Sequence, residues 1–157
     1  MTQAMTQAMN AITLKQPTTP EEFEDYFELR WRILRKPWNE PRGSEIDQDE
    51  QSAYHIMALD GKRIAGVALL QFVEPRQAQL RYMAVDEHYQ KQGVGRLIVE
   101  HMEVYAQSSS AQQLFFHARE NAVGFYQKLG YQMIEQSYLL FGCIQHYKMS
   151  KKLQNGF

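Results

Sequence analysis

Cysteine is almost missing from this chain: Cys143 stands alone. A single thiol forms no internal disulfide and builds no cysteine-rich metal cluster, which fits a reducing compartment. The expectation is a cytoplasmic protein with Cys143 as core filler. Neither sign of charge is in excess, the formal net charge being −1. That balance removes the electrostatic ground for a nucleic-acid or acidic-membrane partner, so any basic site must be local. No run is long and apolar enough to span a bilayer. The opening Met1-Thr-Gln-Ala-Met5-Thr-Gln-Ala-Met9 lacks the basic and apolar regions of a signal peptide and reads as a disordered tail. No repeat or interdomain linker follows. With 157 residues, 44% of them hydrophobic, the sequence reads as one domain over residues 10–152, between the tail of residues 1–9 and a short C-terminal tail of residues 153–157.

What is present is regular alternation between strand and helix patterns. Asn10 to Gln16 alternates as a half-buried strand does. Thr19-Pro20-Glu21-Glu22 then supplies an N-cap, a proline at the first helical position and a capping-box acid. Phe23, Tyr26, Phe27, Trp31 and Leu34 share the apolar face of the helix that follows, which Pro37 ends. The polar stretch from Lys36 to Gln51 is a long loop whose acids, Glu45, Asp47, Asp49 and Glu50, hint at a site for a cationic substrate. Ser52 to Leu59 and Arg63 to Val73 flank Asp60-Gly61 and read as a hairpin. Pro75-Arg76-Gln77 turns into a strand over Ala78 to Val85, and Val94, Leu97, Ile98, Met102 and Tyr105 mark a helix facing a sheet. Leu114 to Ala118 is a short apolar strand, parallel to the Ala78 strand because a helix connects them. Asn121 would cap a helix over Ala122 to Leu129, stopped by Gly130. Tyr131 to Leu140 and Ile144 to Lys151 complete the strands.

The junction Gln90-Lys91-Gln92-Gly93-Val94-Gly95-Arg96 carries the chemistry. A strand that feeds a glycine-bearing turn opening a helix leaves several backbone N–H groups pointing one way, at the positive end of the helix dipole. Two glycines allow a bulky anion close to the main chain, and Lys91 and Arg96 add charge. Such a turn is built to hold phosphate; the alternative is an ordinary strand-to-helix turn that needs glycine only for its shape. The turn is not a P-loop, since no Gly-Lys-Ser/Thr follows a strand, and it lacks the third glycine of a dinucleotide fold.

Four features in order resemble the GNAT superfamily of acetyl-CoA-dependent N-acetyltransferases: Leu80-Arg81-Tyr82-Met83-Ala84-Val85; the Gln90 to Gly95 turn in the Gln/Arg-x-x-Gly-x-Gly/Ala form; His117-Ala118-Arg119-Glu120-Asn121; and Ala122-Val123-Gly124-Phe125-Tyr126-Gln127-Lys128-Leu129-Gly130-Tyr131. The resemblance implies an α/β fold of α+β type, a mixed, largely antiparallel sheet splayed between two parallel strands and flanked by helices. The tail Gly142-Cys143-Ile144-Gln145-His146-Tyr147-Lys148-Met149 is similar to the ending of the bacterial ElaA-like subgroup, departing from it at Cys143 and Gln145.

The resemblance also implies the roles. Acetyl-CoA would be the co-substrate, with no metal. Backbone N–H groups from Gln92 to Arg96, within the stretch Gln90, Lys91, Gln92, Gly93, Val94, Gly95 and Arg96, would hold its pyrophosphate. Met83, Ala84 and Val85 would pair with pantetheine as an added strand, the Val85 N–H polarising the thioester carbonyl. Asn121 and Phe125 would line the coenzyme, and Tyr126 would protonate the departing thiolate. Some branches carry a glutamate where this chain has Gln79, so the base falls to Glu74, His55, His117 or His146, with His117 and His146 first. The acceptor would be a primary amine of a small molecule or peptide, and a homodimer is the family's expectation. A reading of another class is an acyl-CoA-binding sensor without turnover.

Overall fold

The computed structural model describes residues 12–153. The expected tail of residues 1–9, the start of the first expected strand and residues 154–157 lie outside the described residues. Leu153 is described; it is buried, and its N–H donates to the Gln112 carbonyl at 2.8 Å. The chain forms two compact units, one of residues up to Leu70 with Tyr82–His101, the other of Gln71–Arg81 with residues from Met102 onward.

The first unit opens with β1 (Ile12–Lys15) and α1 (Pro20–Leu34). Thr19 Oγ1 accepts the Glu22 N–H while Glu22 accepts the Thr19 N–H, so the expected capping box forms at the start of α1. Tyr26 and Leu29 of this helix pack on Met57, Val67 and Ala84, with Phe23, Phe27 and Leu34 partly buried around them. Each fully buried large apolar side chain contributes on the order of 2 kcal/mol. After Leu34 the chain makes two 3₁₀ turns, Lys36–Trp38 and Glu50–Ser52, at the ends of the polar loop.

The hairpin of β2 (Tyr54–Asp60) and β3 (Arg63–Glu74) forms, with one correction. Asp60 pairs with Arg63, so Gly61-Lys62 is the two-residue turn, and only Gly61 there has positive φ. Asp60 is thereby released to accept the Tyr89 hydroxyl. β4 (Gln77–Val85) and α2 (Val94–Ser108) follow, and both run through the two units. Gly66 brings β3 close to α2: a Cβ there would lie 2.9 Å from Ile98 Cδ1 and 3.0 Å from Val94 Cγ1.

In the second unit β5 (Gln113–Arg119) leads through a 3₁₀ turn (Glu120–Ala122) to the short α3 (Val123–Lys128), then β6 (Gln132–Leu140) and β7 (Ile144–Lys152). Asn121 lies inside that 3₁₀ turn, and Ala122 occupies the cap of α3 with no side-chain hydrogen bond. The expected Asn121 cap is therefore not made. Gly130 does stop the helix, at φ +95°. Cys143, expected in the core, is exposed in the β6–β7 turn.

The strands hydrogen-bond in the order β1-β2-β3-β4-β5-β7-β6. The β1–β2, β2–β3, β5–β7 and β6–β7 pairs are antiparallel, and β4–β5 is parallel at Gln77, Ala78 and Gln79 with Gln113, Leu114 and Phe115. This is the mixed, largely antiparallel α/β sheet that the sequence predicts. No helix of the described residues is long and apolar enough to cross a membrane.

Candidate active site

In the first unit, the end of β4, the turn after it and the start of α2 form one continuous surface of backbone. Asp86 begins a 3₁₀ turn (Glu87–Tyr89), accepting the His88 N–H at 2.8 Å, and its own N–H donates to the Ala65 carbonyl at 2.8 Å. Gln90 Nε2 returns to the Val85 carbonyl at 3.1 Å and Gln92 Nε2 to the His88 carbonyl at 2.8 Å. These two side chains brace the turn.

The turn itself is left-handed at Lys91 (φ +64°) and at Gly93 (φ +88°). Left-handed residues make the main chain concave, and neighbouring N–H groups then converge on one side. The Gly93 carbonyl accepts the Leu97 N–H at 3.0 Å, the first bond of α2. Helix geometry leaves the N–H groups of Val94, Gly95 and Arg96 without intrahelical acceptors. Val94 and Gly95 are buried, whereas Lys91 and Arg96 are exposed, and Arg96 pairs with Glu100 at 3.2 Å. What the turn could offer an anion is main-chain donors first and exposed cationic side chains second.

In the second unit, Tyr126 is buried among aromatic rings, with centroids 4.2 Å from Phe116, 4.9 Å from Phe125 and 6.2 Å from Tyr131. Burial pushes its hydroxyl pKa well up, so the hydroxyl is neutral at physiological pH. Asn121 and Phe125 are exposed nearby in sequence.

His117 follows Phe116 on β5 and therefore points to the opposite face from the Tyr126 side. Its basicity is lowered by burial, then by the charges of Lys148 and Arg81, against a smaller opposing effect of Glu135. Its Nδ1 is buried and has no hydrogen-bond partner among the described residues. His146, opposite Arg119 in the β5–β7 register, is buried as well. Its Nδ1 lies 3.0 Å from the Ile144 carbonyl, which can only accept, so Nδ1 carries a proton. Tyr138 stands between the two histidines, stacked on His146 at 4.4 Å and 5.4 Å from His117.

Two other expected bases are placed elsewhere. His55 is locked into a hydrogen-bond network with Tyr26 and Glu50, and Glu74 is exposed at the end of β3. Three of the four acids of the polar loop have partners within the fold, and Asp49 is exposed. Glu45 accepts the Gly43 N–H, Glu50 pairs with Arg30 at 2.6 Å, and Asp47 accepts the Asp49 N–H. Among the described residues no group of three or more His, Cys, Asp or Glu side chains is placed to hold a metal ion.

Sequence reasoning missed three residues. Tyr138 is one, hidden in a strand whose exposed residues show no alternation. Arg30 is fully buried on the apolar face of α1, and its only signal was its place four residues after Tyr26. Tyr82 takes φ +54° inside β4, where nothing in the residue type announces a left-handed backbone.

The first unit thus carries a strand, a left-handed turn and a helix N-terminus in succession, and the second a buried tyrosine on a later helix. The model of the Acetyltransferase (GNAT) family matches residues 23–131, and the chain belongs to that family. It is 29% identical over 143 residues to the uncharacterized N-acetyltransferase YjcF of Bacillus subtilis (strain 168), covering 91% of this chain and 99% of that one. A second relative from that organism, the uncharacterized N-acetyltransferase YitI, is 27% identical over 137 residues, 83% of this chain and 92% of its own. Among solved structures, the fold is similar to an aminoglycoside 6'-N-acetyltransferase complexed with coenzyme A (TM-score 0.75, 16% identity, 91% and 97% of the two chains). It is also similar to a GNAT family acetyltransferase from Elizabethkingia anophelis with acetyl-CoA bound (TM-score 0.72, 18% identity, 92% and 99%).

Proposed function

We propose that this acetyltransferase moves an acetyl group from acetyl-CoA to a primary amine of a small molecule or peptide, by direct attack in a ternary complex. The observation that carries this reading is the turn with left-handed Lys91 and Gly93 at the mouth of α2. Its N–H groups from Gln92 to Arg96 bind the pyrophosphate, pantetheine extends along Met83, Ala84 and Val85, and Asn121 and Phe125 are the coenzyme residues of the second unit.

The amine must be neutral to attack. His117 or His146 takes its proton, directly or through water; both offer an imidazole suited to that exchange. The nitrogen lone pair then forms a bond to the thioester carbon, and the carbonyl oxygen becomes an oxyanion facing the Val85 N–H. Collapse breaks the C–S bond. Tyr126 gives its hydroxyl proton to the departing sulfur, and the products are the amide and coenzyme A.

Two measurements test this in sequence. Acetyl-CoA and coenzyme A should raise the melting temperature while ATP does not, because a ligand that binds only the native state stabilises it. Thiol release from acetyl-CoA across an amine panel should then reveal turnover. A coenzyme-dependent shift with no turnover on any amine would favour a coenzyme-binding sensor, and the absence of any shift would refute the reading.

A further inference from the structure

Helix α1 grips β4 at two points that bracket residues 83–85. Before them stands Tyr82, a bulky residue at φ +54°, a backbone conformation that persists only where the surroundings enforce it. The Arg30 guanidinium lies 4.6 Å from the centre of the Tyr82 ring and the Arg35 guanidinium 5.6 Å, while the Tyr82 hydroxyl donates to Asp47 Oδ1 at 3.3 Å. After them stands Asp86. It is nearly fully buried and accepts from Arg32 at 3.1 Å, with Arg63 at 3.5 Å, and Arg32 also pairs with Glu87.

Arg30 itself is immobilised. It is fully buried, pairs with Glu50 at 2.6 Å, and donates to the Glu45 carbonyl at 3.0 Å and the Tyr26 hydroxyl at 3.1 Å. Its Nε has no hydrogen-bond partner among the described residues. Stability alone is a poor reason to bury such a group, since a well-packed apolar residue often serves as well. A rigid cationic plate that ties the Tyr82 ring, at 4.6 Å, to the Tyr26 and Phe27 rings of α1, at 5.0 Å and 5.1 Å, is a better one.

A strand residue in the left-handed region breaks the regular alternation of N–H and C=O directions and re-aims the residues after it. We propose that Arg30 and Arg32 are positioning residues for acyl transfer: by fixing β4 at Tyr82 and at Asp86 they set the direction in which residues 83–85 present their backbone to the thioester. The proposal rests on the acetyl-CoA reading of that segment. Catalytic geometry tolerates little error, a misplacement of about 1 Å costing roughly 100-fold.

The test compares full-length wild type with Arg30→Lys, Tyr82→Ala, the double variant and Arg32→Gln, with Ile56→Ala as a buried control outside the site. Arg30→Lys keeps a charge for Glu50 but loses the planar guanidinium. At saturating substrates, kcat of Arg30→Lys and of Tyr82→Ala should fall at least about tenfold, a larger factor than the rise in acetyl-CoA Kd, with the pH profile unchanged in shape. The double variant should fall no further than the worse single variant, because both act through one contact. Ile56→Ala should lower the melting temperature and keep kcat. If Arg30→Lys does not fold, Tyr82→Ala and Arg32→Gln carry the comparison, since both native residues are only partly buried. Wild-type kcat in the variants, or losses that multiply in the double variant, would overturn the proposal while acetyl-CoA still binds. A wild type that binds no acetyl-CoA overturns the functional reading, and the positioning role falls with it.

Discussion

The Tyr26 hydroxyl lies 2.8 Å from Nδ1 of His55, whose Nε2 lies 2.7 Å from the Glu50 carbonyl. A carbonyl only accepts, so Nε2 carries a proton, while the single Tyr26 hydroxyl proton lies between His55 Nδ1 and the Ala68 carbonyl at 2.9 Å. Burial is the largest influence on His55 and lowers its pKa. The unfolded chain therefore takes up a proton below about pH 6.5 that the folded chain refuses. His101 and His117 are displaced in the same direction, again mainly by burial.

Stability should accordingly be fullest above pH 6.5 and decline as pH falls through the lower folded values. Urea unfolding between pH 7.5 and pH 5 measures this. His55→Gln should show a shallower slope than wild type. A stability that is flat or rises towards pH 5 would contradict the buried neutral histidines.

Tyr126→Phe keeps the ring in its aromatic surroundings and removes the proton. Turnover should fall by roughly 100-fold or more, the usual scale of general acid catalysis, with acetyl-CoA affinity nearly intact. Because burial raises the Tyr126 pKa, ionisation of this group should not cut the rate on the alkaline side up to about pH 10, the ordinary tyrosine value. The rate should instead fall on the acid side, as the base is protonated; His117→Gln and His146→Gln identify which histidine sets that limb. Full activity in Tyr126→Phe would end its assignment as the acid.

Gly93→Ala asks an L-residue to adopt φ +88° at the phosphate turn. Such strain costs on the order of 1–3 kcal/mol and displaces the donors around it. Acetyl-CoA Kd should rise about tenfold by calorimetry, whereas Lys91→Gly, which relaxes φ +64°, should preserve the turn and lose only a side-chain charge. Equal affinity in Gly93→Ala and wild type would remove the turn from the binding site.

Gly66→Ala tests the packing that seats the start of α2. The added Cβ meets Ile98 and Val94 within 3.0 Å, and Val94 is β-branched and cannot swing away cheaply. The expected loss is about 1–2 kcal/mol in chemical denaturation, the usual scale of overpacking. A neutral or stabilising outcome would mean that α2 shifts freely on the sheet.

Much of this molecule was legible in its residues because the relevant signals are local. Thr19-Pro20-Glu21-Glu22 defines a helix start by its own hydrogen bonds, and Gly93 between a strand pattern and a helix pattern marks a turn that the structure makes left-handed. The order of motifs around Tyr126 pointed to the family. Tertiary structure alone decided the rest. It buried Arg30, gave Glu45 and Glu50 partners within the fold, left Asn121 out of its expected cap, and held Tyr82 in a backbone region that its side chain disfavours. Those outcomes depend on groups distant in sequence, Arg30 on Glu50 and Tyr82 on Asp47, and such partners leave no trace in periodicity or composition. Local chemistry writes the element and the motif; which side chains share a low-dielectric interior is settled only when the chain closes on itself.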